Sequence, residues 1–302
     1  MKKVFIIIGF ATLFSFAGNA QQITSLALNS LNRYSLNPAV AGTKAYTFVS
    51  TSYSKNWSGI EGSPEIQALS GHSLLSQKTA VGINILNENT GLSGKTSAEF
   101  TFAYHLPISK GGTKLSFGLS GVVTQHKLFR DKFIMDDPSD ESINNAENSV
   151  ILPDANFGIS LYQENKFYVD IAARQLLGRQ VSFLNADNLE NIQVRHFSFG
   201  AGYMFNINDN IQIEPSVLAK TTLAKHQFDA GARAVLKKSF SLGCYYRTGD
   251  NSSILPFIGF DTKNVMFAYS YGILMGDVAN YSTGSHEIML ILKLNTAKSN
   301  LE

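Results

Sequence analysis

From about residue 44 onward the chain alternates apolar residues with small, polar or ionisable ones at a period of two, and this limits its fold more than any other feature. Phe197, Phe199, Ala201, Tyr203 and Phe205 alternate with Ser198, Gly200, Gly202 and Met204. Leu115, Phe117 and Leu119 alternate with Ser116, Gly118 and Ser120, and Phe228, Ala230, Ala232 and Ala234 with Asp229, Gly231 and Arg233. A period of two sends neighbouring side chains to opposite faces of a strand. Each segment therefore carries one apolar face and one small or polar face. About fourteen such segments of roughly 8 to 12 residues are present, centred near residues 49, 69, 83, 102, 120, 159, 170, 201, 216, 231, 243, 257, 268 and 290. No stretch after residue 20 approaches the ~18 to 20 apolar residues of a membrane-spanning helix. A transmembrane barrel needs only alternate residues apolar, in strands of ~9 to 11 residues and, in single-chain outer-membrane barrels, in even number. The expected fold is all-β: a transmembrane antiparallel up-and-down β-barrel of about 14 strands.

Charged residues make up 16% of the chain, against about a quarter in soluble domains. One cysteine excludes a disulfide scaffold and a cysteine-rich zinc site. At the start, Lys2 and Lys3 precede the mostly apolar stretch Val4 to Phe16, and Ala17-Gly18-Asn19-Ala20 places small residues at the −3 and −1 positions of a cleavage site. Residues 1–20 thus read as a signal peptide, residues 21–44 as an N-terminal periplasmic or lumenal segment, 45–294 as the barrel and 295–302 as a tail. N-terminal sequencing of the membrane-embedded protein is expected to begin at Gln21; a protein retaining Lys2 in the inner membrane would overturn this reading. Loss of Lys2 and Lys3 leaves 23 of the 25 basic residues against 23 acidic ones. That balance gives no electrostatic footprint for nucleic acid.

The connections after the even-numbered strands read as short, including residues 163–165, 206–210, 237–238 and 261–264. The alternate ones read as longer, at residues 54–64, 126–154, 175–194 and 272–285, with two short exceptions near 221 and 248. Short periplasmic turns and long external loops are the outer-membrane pattern. Tyr46, Tyr53, Trp57, Tyr245, Tyr246, Tyr269 and Tyr271 suit an interfacial aromatic girdle.

No catalytic or cofactor constellation stands out. The six histidines (72, 105, 126, 196, 226 and 286) lack zinc-site spacing, and no Gly-x-Ser-x-Gly elbow is present. Neither an enzyme nor a cofactor or metal is expected. Glu99, Asp170, Arg174, Glu214, Asp229, Arg233, Glu287 and Lys293 share the phase of the non-apolar face. On the lipid side each would cost roughly 2 to 4 kcal/mol near the midplane, so they read as lumen-facing. If the hairpin around residue 223 pairs with residue numbers summing to 447, Glu214 stands opposite Arg233. Such residues are either packing glue or the lining of a conduction or recognition surface. The acidic stretch from Asp131 to Glu147 reads as a solvated external loop without the spacing of a dedicated calcium loop.

Several motifs, in order along the chain, carry a resemblance to a known family. They are Asn37-Pro38-Ala39-Val40-Ala41-Gly42, Tyr53 to Trp57, Gly62-Ser63-Pro64, Ser70-Gly71-His72, Leu115 to Leu119 and Pro153 to Gly158. They continue with Gly202-Tyr203, Pro215-Ser216, Tyr245-Tyr246-Arg247 and Gly284-Ser285-His286-Glu287-Ile288-Met289-Leu290. Over residues 22 to 294 the chain resembles the PorP/SprF proteins of the type IX secretion system. The resemblance implies a barrel in the outer membrane of a Gram-negative bacterium, acting as an accessory to secretion and surface anchoring and related to gliding motility. It implies outer-membrane lipid around the barrel. The implied partners are type IX secretion components, an exported adhesin with a type B C-terminal domain, or both. On it, Asn37, Pro38, Ala39, Gly42, Trp57, Pro64, His72, His286 and Glu287 are the family-motif residues. The rival reading is a passive diffusion or small-ligand channel, which needs an open lumen.

Overall fold

A computed structural model describes residues 26–129, 149–181, 191–222, 224–249 and 252–294. The strands are β1 (Thr47–Lys55), β2 (Glu65–Leu74), β3 (Thr79–Thr90), β4 (Ser93–Pro107), β5 (Lys114–Leu128), β6 (Ser149–Gln163), β7 (Phe167–Arg174), β8 (Gln180–Val181), β9 (Asn191–Ile192), β10 (His196–Tyr203), β11 (Phe205–Asn208), β12 (Ile211–Thr221), β13 (His226–Leu236), β14 (Phe240–Arg247), β15 (Ser253–Asp261), β16 (Val265–Leu274) and β17 (Ser285–Leu294). β8 and β9 pair only with each other, as a small ribbon between β7 and β10. β10 and β11 act as one strand interrupted at Met204, both pairing with β12. Every barrel strand pairs antiparallel with its neighbours, and β1 pairs with β17 from Thr47↔Leu294 to Lys55↔His286. The sheet therefore closes as a 14-strand barrel with no free edge, and each of the fourteen expected centres falls within a different wall strand.

The alternation sends most large apolar side chains to the outer surface and the charged ones to the inner, where Phe48, Leu255, Phe257, Met266, Met289 and Ile291 also pack against the plug. Phe100, Phe102, Leu119, Ile171, Phe199, Phe228, Ile258 and Phe267 are exposed on the outer surface. Ser50, Ser70, Ser116, Ser120, Asn156 and Ser160 are buried on the inner one. An apolar exterior over a polar interior is stable only with hydrocarbon outside. Strands β4, β5 and β6 each run 15 residues, more than the ~9 to 11 a bilayer requires, so this part of the wall extends past the hydrocarbon.

Six connections of two to six residues (75–78, 108–113, 164–166, 209–210, 237–239 and 262–264) lie at one end, where β1 begins and β17 ends. The others lie at the opposite end. By the outer-membrane pattern the short-turn end faces the periplasm. The contrast is weaker than expected at one further place, where β3 and β4 are joined through Gly91-Leu92 alone because both strands run long. The segments that read as loops at 126–154 and 175–194 also shorten: β5 continues to Leu128, β6 begins at Ser149, and the second contains the β8–β9 ribbon. The signal peptide, the acidic stretch 131–147 and the tail lie outside the described residues.

Residues 26–46 do not join the sheet. They pass through the barrel from the external end to the periplasmic mouth as an irregular plug with short 3-10 turns at Arg33–Ser35 and Pro38–Val40. Leu26, Leu28, Tyr34, Ala39, Val40 and Ala41 are buried, as are Asn29, Asn32, Ser35, Asn37 and Thr43.

Candidate functional site

A chain segment without helix or sheet leaves its backbone polar groups unpaired, and burying it requires other partners for them. The barrel wall supplies these from top to bottom. At the external end the Glu287 carboxylate accepts from Ala27 N (2.5 Å) and Leu28 N (3.3 Å). Arg247 donates to Leu26 O (2.8 Å) while holding Asp229 through two bonds of 2.8 and 2.9 Å. Midway, Asn32 Nδ2 donates to Ser50 Oγ and Ser70 Oγ, both at 3.0 Å. There too Tyr34 Oη pairs with Thr101 Oγ1 (2.8 Å), and Arg174 donates to Ser35 O (2.7 Å). Arg33 forms an ion pair with Asp170 and lies 3.7 Å over the Tyr168 ring. Lower down, Asn37 caps its own turn by accepting from Ala39 N (2.9 Å), and its Nδ2 donates to Ile159 O (3.0 Å). Gly42 N donates to His72 Nδ1 (3.1 Å), and the His72 ring stacks on Phe48 with centroids 4.9 Å apart.

Shape reinforces these bonds. A Cβ at Gly118 would overlap the backbone of Pro38 and Ala39, and one at Gly158 would overlap the Asn37 side chain. Gly42 has φ +74°, a conformation that glycine adopts without strain, and a Cβ there would strike Ala80. The sequence motifs Asn37–Gly42, Leu115–Leu119, Pro153–Gly158, Ser70–His72 and Gly284–Leu290 are thus one object in space: a plug and its socket.

The ionisable candidates all lie on the inner face. Glu214 stands opposite Arg233 with the expected register, and the two form an ion pair. Asp170 holds Arg33, Asp229 holds Arg247, Lys293 holds Asp261, and Arg174 reaches Glu99 at 3.5 Å. Of the motif residues, Asn37, Pro38, Ala39, Gly42, His72 and Glu287 build the plug or touch it. Trp57 and Pro64 belong to the β1–β2 connection, where Trp57 N donates to Ser285 Oγ (3.1 Å) and Asn56 N to Pro64 O (2.9 Å). His286 lies on the outer face against Tyr269 Oη (2.8 Å). Two members of the expected aromatic girdle are elsewhere: Tyr245 is buried on the inner wall, bonded to Ser216 (2.9 Å), and Tyr46 packs at the foot of the plug. The placement of Tyr245 follows from phase, since it shares the inner face with Gly243 and Arg247, and Tyr46 precedes β1 and belongs to the plug. Arg247 and Arg33, which sequence reasoning did not single out as lumenal charges, hold the plug. The phase of Arg247 relative to Asp229 was a readable signal; Arg33 lies outside any alternation and gave none.

The plug leaves a cavity at each end. The external one, about 370 Å³, lies above Ala27 and Glu287 and is lined by Trp57, Pro64, Glu88, His226 and Arg247. The periplasmic one, about 490 Å³, lies below Arg33 and is lined by Lys44, Lys166, Tyr168, Arg233 and Lys238. Burial at the foot of the plug, with the Arg33 guanidinium nearby, holds the Lys44 ammonium below its ordinary range, at about 8. Among the described residues no group of three or more His, Cys, Asp or Glu side chains is placed to hold a metal.

A family model described as "Type IX secretion system membrane protein PorP/SprF" matches residues 17–292. No curated protein matches the chain significantly. Among solved structures the chain is similar to the toluene transporter TbuX of Ralstonia pickettii, with 8% identity, a TM-score of 0.51, and coverage of 86% of this chain and 92% of that one. It is similar to a Pseudomonas aeruginosa FadL homologue with the same four values. At such identity the likeness is one of fold, and the fold is that of outer-membrane barrels.

Proposed function

The chain belongs to the PorP/SprF family of type IX secretion system membrane proteins, and from that premise we propose that it works as a non-enzymatic accessory that holds other proteins at the outer membrane. It is an outer-membrane barrel of a Gram-negative bacterium, associated with type IX secretion. The partners we propose are secretion components, an exported adhesin carrying a type B C-terminal domain, or both, in support of surface anchoring and gliding.

The observation that carries this reading is the occupied lumen. A barrel of this size built for diffusion leaves a passage through its middle. Here Leu26 to Tyr46 fills that space, fixed by bonds to strands all around the wall. A wall that is rigid and an interior that is closed leave the two rims and the outer surface as the places where a partner can be held, and binding usually resides on such loops.

The test is a complete knockout, compared with wild type by mass spectrometry of cell-surface proteins, together with affinity capture of the tagged barrel from detergent-extracted outer membranes. The expected result is loss of particular surface proteins and co-capture of secretion components. A second arm deletes residues 136–148, a stretch with few apolar side chains; heat-modifiable gel mobility is expected to show a folded barrel, with weaker surface display. An unchanged surface proteome in the knockout, with lost uptake of a small solute, would favour the channel instead.

A further inference from the structure

The short-turn end of the barrel is basic. The six short turns hold Lys78, Lys110, Lys166, Lys237, Lys238 and Lys263 against only Glu164 and Asp209. All six lysines are exposed.

The basic end is also concave. Lys44, Lys166 and Lys238 line the periplasmic cavity, with Arg33 in its roof. Arg33 and Arg233 are neutralised by Asp170 and Glu214, and Lys293 by Asp261. No salt bridge to Lys44, Lys166 or Lys238 is formed among the described residues. Lys44, Lys166 and Lys238 thus face a mouth of about 490 Å³, whose far wall is the plug, against the single remaining carboxylate of Glu164, which accepts from Ala45 N (3.2 Å), and the balance there is positive. The turn that presents Lys238 is itself strained: Lys238 and its neighbour Lys237 both have positive φ, 56° and 49°. Asparagine or glycine would adopt this conformation at lower cost, and strain of this kind collects at sites of function.

We propose that the periplasmic mouth is a docking site for an acidic polypeptide segment of a periplasmic protein, seated in the cavity between Lys44, Lys166 and Lys238 and ringed by the remaining turn lysines. The two macromolecular occupants with matching charge are an acidic protein and the anionic headgroups of the bilayer. Geometry favours the protein. Lys44, carried by the plug, is separated from lipid by the barrel wall, and a roofed pocket accepts a side-chain-bearing segment that a headgroup fixed in the membrane plane does not reach. The inference draws on the reading of this protein as a secretion accessory only for the location of the partner.

The test uses the full mature chain in nanodiscs of zwitterionic lipid, with a fluorescein-labelled oligoglutamate as probe and an oligoglutamine of equal length as control. Fluorescence anisotropy should show oligoglutamate binding that weakens steeply with salt, no binding of the control, and roughly tenfold weaker binding in a Lys44→Gln/Lys166→Gln/Lys238→Gln triple variant. Lys166 and Lys238 are exposed on turns and Lys44 is half-buried at the foot of the plug, and heat-modifiable mobility is expected to show that the variant is folded. A Lys110→Gln/Lys263→Gln variant, altered outside the cavity, should bind within about twofold of wild type. Absence of oligoglutamate binding, or equal binding to the triple variant, would overturn the proposal. So would oligoglutamate binding abolished by anionic lipid in the nanodisc, which would make headgroups the occupant. Failure here with co-capture of secretion components intact removes the mouth as the docking site and leaves the accessory role standing. Success here with an unchanged surface proteome in the knockout does the reverse.

Discussion

Deleting residues 27–41 is expected to convert a non-conducting barrel into a conducting one. Fourteen strands enclose more space than the eight-stranded barrels that side chains alone fill, and less than the 16 to 18 strands of open porins. Whether the interior is open therefore depends on what occupies it. Here that is the plug, whose removal frees the inner ring of Ser50, Ser70, Ser116, Ser120, Asn156 and Ser160 to hydrate. The deletion also uncovers the apolar inner cluster of Phe48, Leu255, Phe257, Met289 and Ile291, but the wall stands without the plug because every strand remains paired on both sides. Planar-bilayer recordings are expected to show stepwise current for the deletion and none for the intact chain. Gly118→Val is the milder version. Its side chain would take the place of the Pro38–Ala39 backbone, an overpacking that costs about 1–3 kcal/mol and should give intermittent openings. Equal conductance in the intact chain and the deletion would remove the plug as the seal.

The second large effect is on folding. Phe199→Arg should destabilise the barrel by roughly 2 to 4 kcal/mol, the cost of a cation near the bilayer midplane. Phe199 lies in the middle of β10, paired with Ile171 on one side and Ala219 on the other, with its ring on the outer surface. Arg233→Gln, one face away, should be milder, because the Gln amide still donates to Glu214 and both side chains line the periplasmic mouth rather than hydrocarbon. Urea-dependent refolding into lipid vesicles measures both. The opposite order of effects would reject the assignment of faces.

The wall was legible because a barrel strand is a local object. Each side chain's destination, lipid or lumen, follows from its parity within one segment, and Asp229 or Arg233 in hydrocarbon is a cost no packing repays. The hairpin register that sets Glu214 opposite Arg233 is local in the same way, fixed by one short turn between adjacent strands. Residue type alone groups Tyr245 and Tyr46 with the girdle tyrosines, yet Tyr245 shares its inner phase with Arg247. The turn at Gly91-Leu92 was missed because strand length does not show in alternation alone.

The plug is another kind of object. Nothing periodic marks residues 26–46, and Asn37-Pro38-Ala39-Val40-Ala41-Gly42 is on its face only a turn sequence. Its partners lie far along the chain, at His72, Gly118, Gly158, Asp170 and Glu287, brought together only when β1 closes on β17. The sequence by itself therefore determined a closed, lipid-facing wall of fourteen strands, because alternation and the cost of charge in hydrocarbon act residue by residue. Tertiary structure alone decided that the lumen is filled, that scattered motifs form one socket and that the lysines of separate turns converge on one mouth. Those facts are distances between residues far apart in the chain, and they come into being only when the sheet closes.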